Sequence, residues 1–181
     1  MKTLILGGAR SGKSAYAEQQ ALESGQPVTV IATARADDAE MAARIAHHQA
    51  RRPKEWATAE APIALGAAIR QSAQADRVVL VDCLTVWLSN LLFSEAHDFP
   101  ETGLITPPAL FEQERASLLA ALDEAPGAIY LVSNEVGLGI VPLGAVNRWF
   151  VDEAGRLNQA VAQRCQRAVF IAAGLPLQLK G

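Results

Sequence analysis

Residues Gly7 to Ser14 read G-G-A-R-S-G-K-S. The segment meets the pattern G-x-x-x-x-G-K-[ST], with Gly7, Gly12, Lys13 and Ser14 on the fixed positions and Gly8, Ala9, Arg10 and Ser11 inside the loop. Its flanks fit as well. Lys2–Leu6 is a short apolar run that reads as a buried strand, and the stretch from Ser14 to Glu23 has helix-forming composition. Strand, glycine loop and helix in this order make a phosphate cradle. Glycines let backbone N–H groups turn inward, and the helix N-terminus adds partial positive charge at the same point. Lys13 is expected to reach the β- and γ-phosphates, and Ser14 Oγ to ligate Mg²⁺. The segment therefore predicts binding of a nucleoside triphosphate.

The rest of the chain repeats the strand–helix alternation. Strands are expected at Lys2–Leu6, Val28–Thr33, Arg77–Asp82, Ala128–Ser133 and Ala168–Ala172, with a short piece at Pro176–Leu179. Helices are expected at Gly12–Glu23, Asp37–Arg52, Pro62–Gln74, Thr85–Phe93, Pro107–Glu124 and Ala145–Gln166. The strands are continuous apolar runs rather than alternating ones, as in a parallel sheet covered on both faces. This predicts an α/β fold, a mostly parallel sheet with helices on both faces, in one nucleotide-binding domain spanning 1–181. Ser94–Pro108, rich in turn residues, reads as a surface loop or lid. A net charge of −3 without a basic stripe argues against a nucleic-acid partner. No apolar run approaches the length of a membrane span, and the N-terminus enters a strand without a signal peptide, so a cytoplasmic location is expected. Two cysteines, Cys83 and Cys165, lack metal-site spacing and read as reduced thiols.

In such sheets ligands gather at the carboxyl ends of the strands. The residues expected to converge there are the phosphate loop, Ala34-Arg35, Asp82-Cys83 and Asn134-Glu135. Val78–Asp82, V-V-L-V-D, is four apolar residues closed by a carboxylate. Such an Asp caps a turn as readily as it binds a metal. Downstream of a phosphate loop the metal role is favoured, with Asp82 holding Mg²⁺ directly or through water.

Asp37–Arg52 begins with acids and ends with bases, and it carries two of the three histidines, His47 and His48. Met41, Arg44, Ile45 and His48 share one helical face. A neutral imidazole among cations is a competent nucleophile toward phosphorus, yet periodicity alone favours an ordinary solvated helix. Glu60 is a further acid near the site. Ser133–Pro142, S-N-E-V-G-L-G-I-V-P, is expected to form a loop at the site's rim, with Asn134 and Glu135 offered to a polar substrate or the metal.

Together these segments resemble one family, the bifunctional adenosylcobinamide kinase / adenosylcobinamide-phosphate guanylyltransferases of cobalamin biosynthesis. The matching pieces are the phosphate loop, E-M-A-A-R-I-A-H-H at Glu40–His48, R-P-K-E-W-A-T-A-E at Arg52–Glu60 and V-D-C-L-T-V-W at Val81–Trp87. They continue with N-E-V-G-L-G-I-V-P at Asn134–Pro142, the run Arg148–Gln159 and the tail Gly174–Lys180. The resemblance implies a RecA-like P-loop fold, commonly a homotrimer, and a histidine that carries a guanylyl group. That role maps onto His48, with His47 its nearest competitor. It also implies nucleotide contacts from Ala34, Arg35, Ala36, Arg51, Arg52, Pro53, Lys54, Glu60 and Asp82. ATP and GTP would be substrates, Mg²⁺ the metal and the corrinoid adenosylcobinamide the acceptor. Two other readings share the phosphate loop, a monofunctional small-molecule kinase and a regulatory NTPase, but neither accounts for the histidine segment.

Overall fold

In a computed structural model the described residues are 1–35, 52–95 and 99–181, together with 39, 43, 46 and 50. The strands are β1 (Lys2–Gly7), β2 (Val28–Ala32), β3 (Ala57–Glu60), β4 (Val78–Asp82), β5 (Ala128–Asn134), β6 (Arg167–Ala172) and β7 (Leu175–Lys180). The helices are α1 (Lys13–Glu23), α2 (Leu65–Ser72), α3 (Leu84–Leu92), α4 (Ala109–Glu124) and α5 (Ala145–Arg164). Ala39, Ala43, Ala46 and Ala50 are helical positions between β2 and β3.

The strands form one sheet in the order β3-β2-β4-β5-β1-β6-β7. All neighbours are parallel except β6 and β7. The apolar runs behave as strands buried on both faces should. Leu4, Val79, Val81, Ile129 and Leu131 face a core filled by α2, α3, α4 and α5. Their neighbours Ile5, Val78, Leu80, Tyr130 and Val132 face the opposite core, with Ala17 and Ala21 of α1. The two alanines let α1 lie close to the sheet, which holds the phosphate loop ahead of it against the strand ends.

Trp87, Leu88, Leu91 and Leu92 of α3 are fully enclosed, and Trp87 Nε1 donates to the Ile63 carbonyl at 2.6 Å. Each such side chain contributes roughly 1.5–3 kcal/mol of burial, so this segment belongs to the core. Phe93, at its end, is exposed. Lys180 of β7 donates to the Ala162 and Cys165 carbonyls at 2.9 and 2.6 Å and so closes the C-terminal end of α5.

Three expectations need correcting. β3 was not anticipated, since A-T-A-E is an edge strand with three of its four residues exposed and no apolar run. The helix expected at Pro62–Gln74 shortens to Leu65–Ser72, because a turn from Leu65 N–H to the Ile63 carbonyl precedes it. The helix expected to run to Gln166 stops at Arg164, where the chain turns extended and Gln166 N–H bonds the Lys2 carbonyl. Residues 94, 95 and 99–108 contain no helix or strand, as expected of a loop. Glu101 C=O accepts from Ala145 N–H at 3.0 Å, which ties that loop to the start of α5.

Candidate functional site

β1 ends at Gly7, between Asn134 of β5 and Ile171 of β6 in register. A Cβ at Gly7 would come within 2.6 Å of the Ile171 carbonyl and 2.5 Å of Ser11 Oγ, so only glycine fits where the chain leaves the sheet. The loop then turns, with Ser11 N–H bonded to the Gly8 carbonyl at 3.2 Å. Gly12 sits at φ 100°, the left-handed region that glycine adopts at low cost. A neighbouring turn braces the loop from outside. Ala173 and Gly174, between β6 and β7, both have positive φ, and Gly174 N–H donates to the Ser11 carbonyl at 2.8 Å.

Lys13 opens α1 with its side chain turned back over the loop, where Nζ donates to the Gly8 carbonyl at 2.9 Å. It is buried. Desolvation lowers its pKa below the ordinary lysine value, and the neighbouring Cys83 and Asp82 oppose that shift. A buried ammonium held by one carbonyl is poised to exchange that partner for an anion.

Ser14 Oγ lies 3.4 Å from Asp82 Oδ1, so the two residues expected to serve the metal meet although 68 positions apart. Both offer oxygen, as Mg²⁺ requires, and Mg²⁺ takes few protein ligands besides phosphate and water. No group of three or more His, Cys, Asp or Glu side chains that could hold a metal occurs among the described residues. The donor set fits Mg²⁺.

The other oxygen of Asp82 is engaged by a cation. Arg52 Nη2 donates to Asp82 Oδ2 at 2.7 Å, and Arg52 Nε donates to Glu18 Oε1 at 3.0 Å. The Arg52 side chain is only 8 % exposed. Arg52 was expected to contact the nucleotide. It is brought to the site, but through the carboxylate at the end of β4. Pro53 is half-buried and, with Arg52, Trp56 and Glu18, lines a groove against α1, while Lys54 is exposed. Ala34 and Arg35 follow β2 at the carboxyl edge, half-buried and exposed. Glu60 ends β3 and is exposed; it pairs in register with Ala32, which pairs in turn with Asp82. Glu60 thus lies two strands from Asp82, roughly 10 Å by strand spacing. Ala36, Glu40, Met41, Arg44, Ile45, His47, His48 and Arg51 lie outside the described residues.

Sequence reasoning did not anticipate a belt of buried polar groups that fixes the strand ends. Thr33 Oγ1 donates to the Cys83 carbonyl at 2.8 Å and accepts from Cys83 N–H at 2.9 Å. Asn90 Nδ2 donates to the Thr33 carbonyl at 2.7 Å and to the Pro62 carbonyl at 3.0 Å. The residue after Asp82 is thereby clamped to the end of β2. On the next strand, Thr85 Oγ1 accepts from Asn134 N–H at 2.7 Å, and Ser133 Oγ donates to Asn158 Oδ1 at 2.7 Å. Only a polar residue immediately after or at the end of an apolar run hinted at these roles. Cys83 itself is buried and its thiol is pushed up to about 11, chiefly by desolvation, so it stays protonated at neutral pH. Cys165 is likewise a free, buried thiol.

Two charged side chains pair within their own segments. Glu135 was a candidate for metal or substrate, but its Oε1 accepts from Gly137 N–H at 2.7 Å and shapes its own loop. Its backbone N–H bonds the Gly7 carbonyl at 3.0 Å, so the loop is rooted at the phosphate loop. Arg156 pairs with Glu153 on its own helix.

A glycine cradle with an inward lysine, a serine beside a strand-end aspartate and a mostly parallel sheet define a RecA-like P-loop protein. Solved structures agree on that fold. A prototypical ATPase of a bacterial type III secretion system matches 98 % of this chain and 56 % of its own, with a TM-score of 0.54 at 13 % identity. The chain belongs to the family described as cobinamide kinase / cobinamide phosphate guanyltransferase, whose model matches residues 3–179. It is 56 % identical to the bifunctional adenosylcobalamin biosynthesis protein CobP of Pseudomonas aeruginosa, over 100 % of this chain and 98 % of the relative. It is 40 % identical to the protein CobU of Escherichia coli K12, over 99 % of this chain and 100 % of the relative. No helix is long and apolar enough to cross a membrane among the described residues.

Proposed function

We propose that this chain carries out two transfers from one nucleotide site in a single cytoplasmic domain spanning 1–181, assembled as a homotrimer. It phosphorylates the hydroxyl on the aminopropanol arm of adenosylcobinamide, using ATP or GTP. It then moves GMP from GTP onto the resulting phosphate, giving adenosylcobinamide-GDP and pyrophosphate. The observation that carries the reading is the meeting of Ser14 and Asp82 beside the Lys13 cradle, in a chain of this family.

In the kinase step the protein's work is positioning and charge neutralisation. The loop amides from Gly8 to Lys13 and the N-terminus of α1 hold the phosphates, and Lys13 exchanges the Gly8 carbonyl for a phosphate oxygen. Ser14 and Asp82 would hold Mg²⁺, which when bound neutralises charge on the β- and γ-phosphate oxygens. Arg52 holds Asp82 Oδ2 while Oδ1 faces Ser14, which orients the carboxylate toward the shared metal position.

In the second transfer an imidazole nitrogen of His48 attacks the α-phosphorus of GTP. A P–N bond forms, the bond to the bridging oxygen breaks and pyrophosphate leaves. An oxygen of the cobinamide phosphate then attacks the same phosphorus and the P–N bond breaks. Covalent catalysis divides one difficult displacement into two easier ones. His48→Ala is expected to abolish guanylyl transfer and to spare measurable kinase turnover, assayed separately with radiolabelled γ- and α-phosphate. Equal loss of both would contradict this division of labour.

A further inference from the structure

From Val136 to Gly144 the chain reads V-G-L-G-I-V-P-L-G, nine residues without one polar side chain. The run is not folded into the core beyond Val136, which packs on the larger apolar cluster. Leu138 is 79 % exposed, Ile140 97 %, Val141 71 % and Leu143 89 %. Exposure at this density on a soluble surface marks a contact site.

The loop is pinned at both ends, so the apolar side chains are displayed from a fixed base. At its start, Glu135 N–H bonds the Gly7 carbonyl and Glu135 Oε1 holds Gly137 N–H. At its end, Asn147 Nδ2 donates to the Leu143 carbonyl at 2.9 Å, and Ala145 N–H bonds the Glu101 carbonyl. Gly7 is the first residue of the phosphate cradle. Ile140 is five positions beyond Glu135, so the apolar tip stands within about 18 Å of that root.

We infer that this loop is the resting surface for the corrin ring of the acceptor; the inference rests on the function proposed above. The acceptor's reacting group sits at the end of an arm, so while the arm reaches the cradle its bulky macrocycle must lie to one side, on the rim. A broad apolar ring face matches a surface without polar side chains. A nucleotide would find no charge here. Continuity with the phosphate loop through Glu135 and Gly7 sets this surface beside the reaction, whereas Leu179 lies at the end of β7 away from the Gly174 turn that braces the same loop.

The test uses Ile140→Asp and Leu138→Asp, with Leu179→Asp on β7 as the control. For each, the corrinoid KM of the kinase step, the affinity for MgGTP and the mass by sedimentation are measured. The loop variants are expected to raise the corrinoid KM about tenfold, as loss of a buried Leu or Ile contact does. Nucleotide affinity and mass should stay unchanged, and the control should behave as wild type. An unchanged corrinoid KM in active loop variants would overturn this inference alone. A fall in mass would overturn it too, since the loop would then be a contact between copies. Wild-type protein that binds MgGTP but shows no corrinoid-dependent transfer would defeat the functional reading itself, and this one with it.

Discussion

Two glycine-containing loops leave adjacent parallel strands at the same edge of the sheet, one after β1 and one after β5, with Gly7 and Asn134 paired in register. They share position and differ in everything else. The first turns its backbone inward over a buried lysine and is braced by a second turn at Gly174. The second sends its side chains outward, and those side chains are apolar. Strand-end topology thus decides where a ligand goes, and the residues on each loop decide which part of it. Phosphate needs converging N–H groups and a cation, whereas a large organic acceptor needs dehydrated surface.

The largest expected effect breaks the first loop. Lys13→Met should lower both transfers on the order of 100- to 1,000-fold, the usual cost of removing a group aimed at transition-state charge. Its effect on the free protein runs the other way. Because burial lowers the Lys13 pKa, the unfolded chain holds the proton more tightly between the folded value and 10.5. Stability therefore rises with pH across that window, and below it the full cost of the buried ammonium is present. At pH 7 the nucleotide-free variant should melt no lower than wild type. A marked fall in its melting temperature would mean that the ammonium is structural.

A smaller effect sharpens the contrast between the loops. Gly12 has φ 100° and its added Cβ would sit 3.1 Å from Gly174 Cα, whereas a Cβ at Gly139 meets nothing within 4 Å and its φ is not positive. Gly12→Ala should destabilise the protein by about 1 kcal/mol and weaken MgGTP binding, read by thermal melting and calorimetry. Gly139→Ala should change neither. Equal effects at the two sites would mean that the loops are not the distinct structures described.

Much of this was legible in the sequence, for identifiable reasons. β1, β2, β4, β5 and β6 fall within a residue or so of expectation because burial on both faces writes an unbroken apolar run. β3 escaped because an exposed edge strand needs no such run. The phosphate loop and Asp82 were readable as local patterns, and Ser14 and Asp82 meet as their motifs imply. The pairing of Arg52 with Asp82 and Glu18 was not, since it joins residues 30 and 34 positions apart through a fold the sequence does not display. The Thr33–Cys83 clamp, across 50 positions, escaped for the same reason. A threonine after an apolar strand looks like any loop residue until the neighbouring strand is in place.

Covalent transfer of the guanylyl group through a histidine is the proposed step that one experiment can decide. Incubation with Mg²⁺ and GTP followed by intact-mass measurement, with His48→Ala alongside, tests it most directly. The expected product is an adduct of one GMP that is acid-labile, alkali-stable and absent from the variant. An adduct that persists in the variant would contradict the assignment to His48, and no adduct on protein shown to bind GTP would contradict covalent guanylyl transfer altogether.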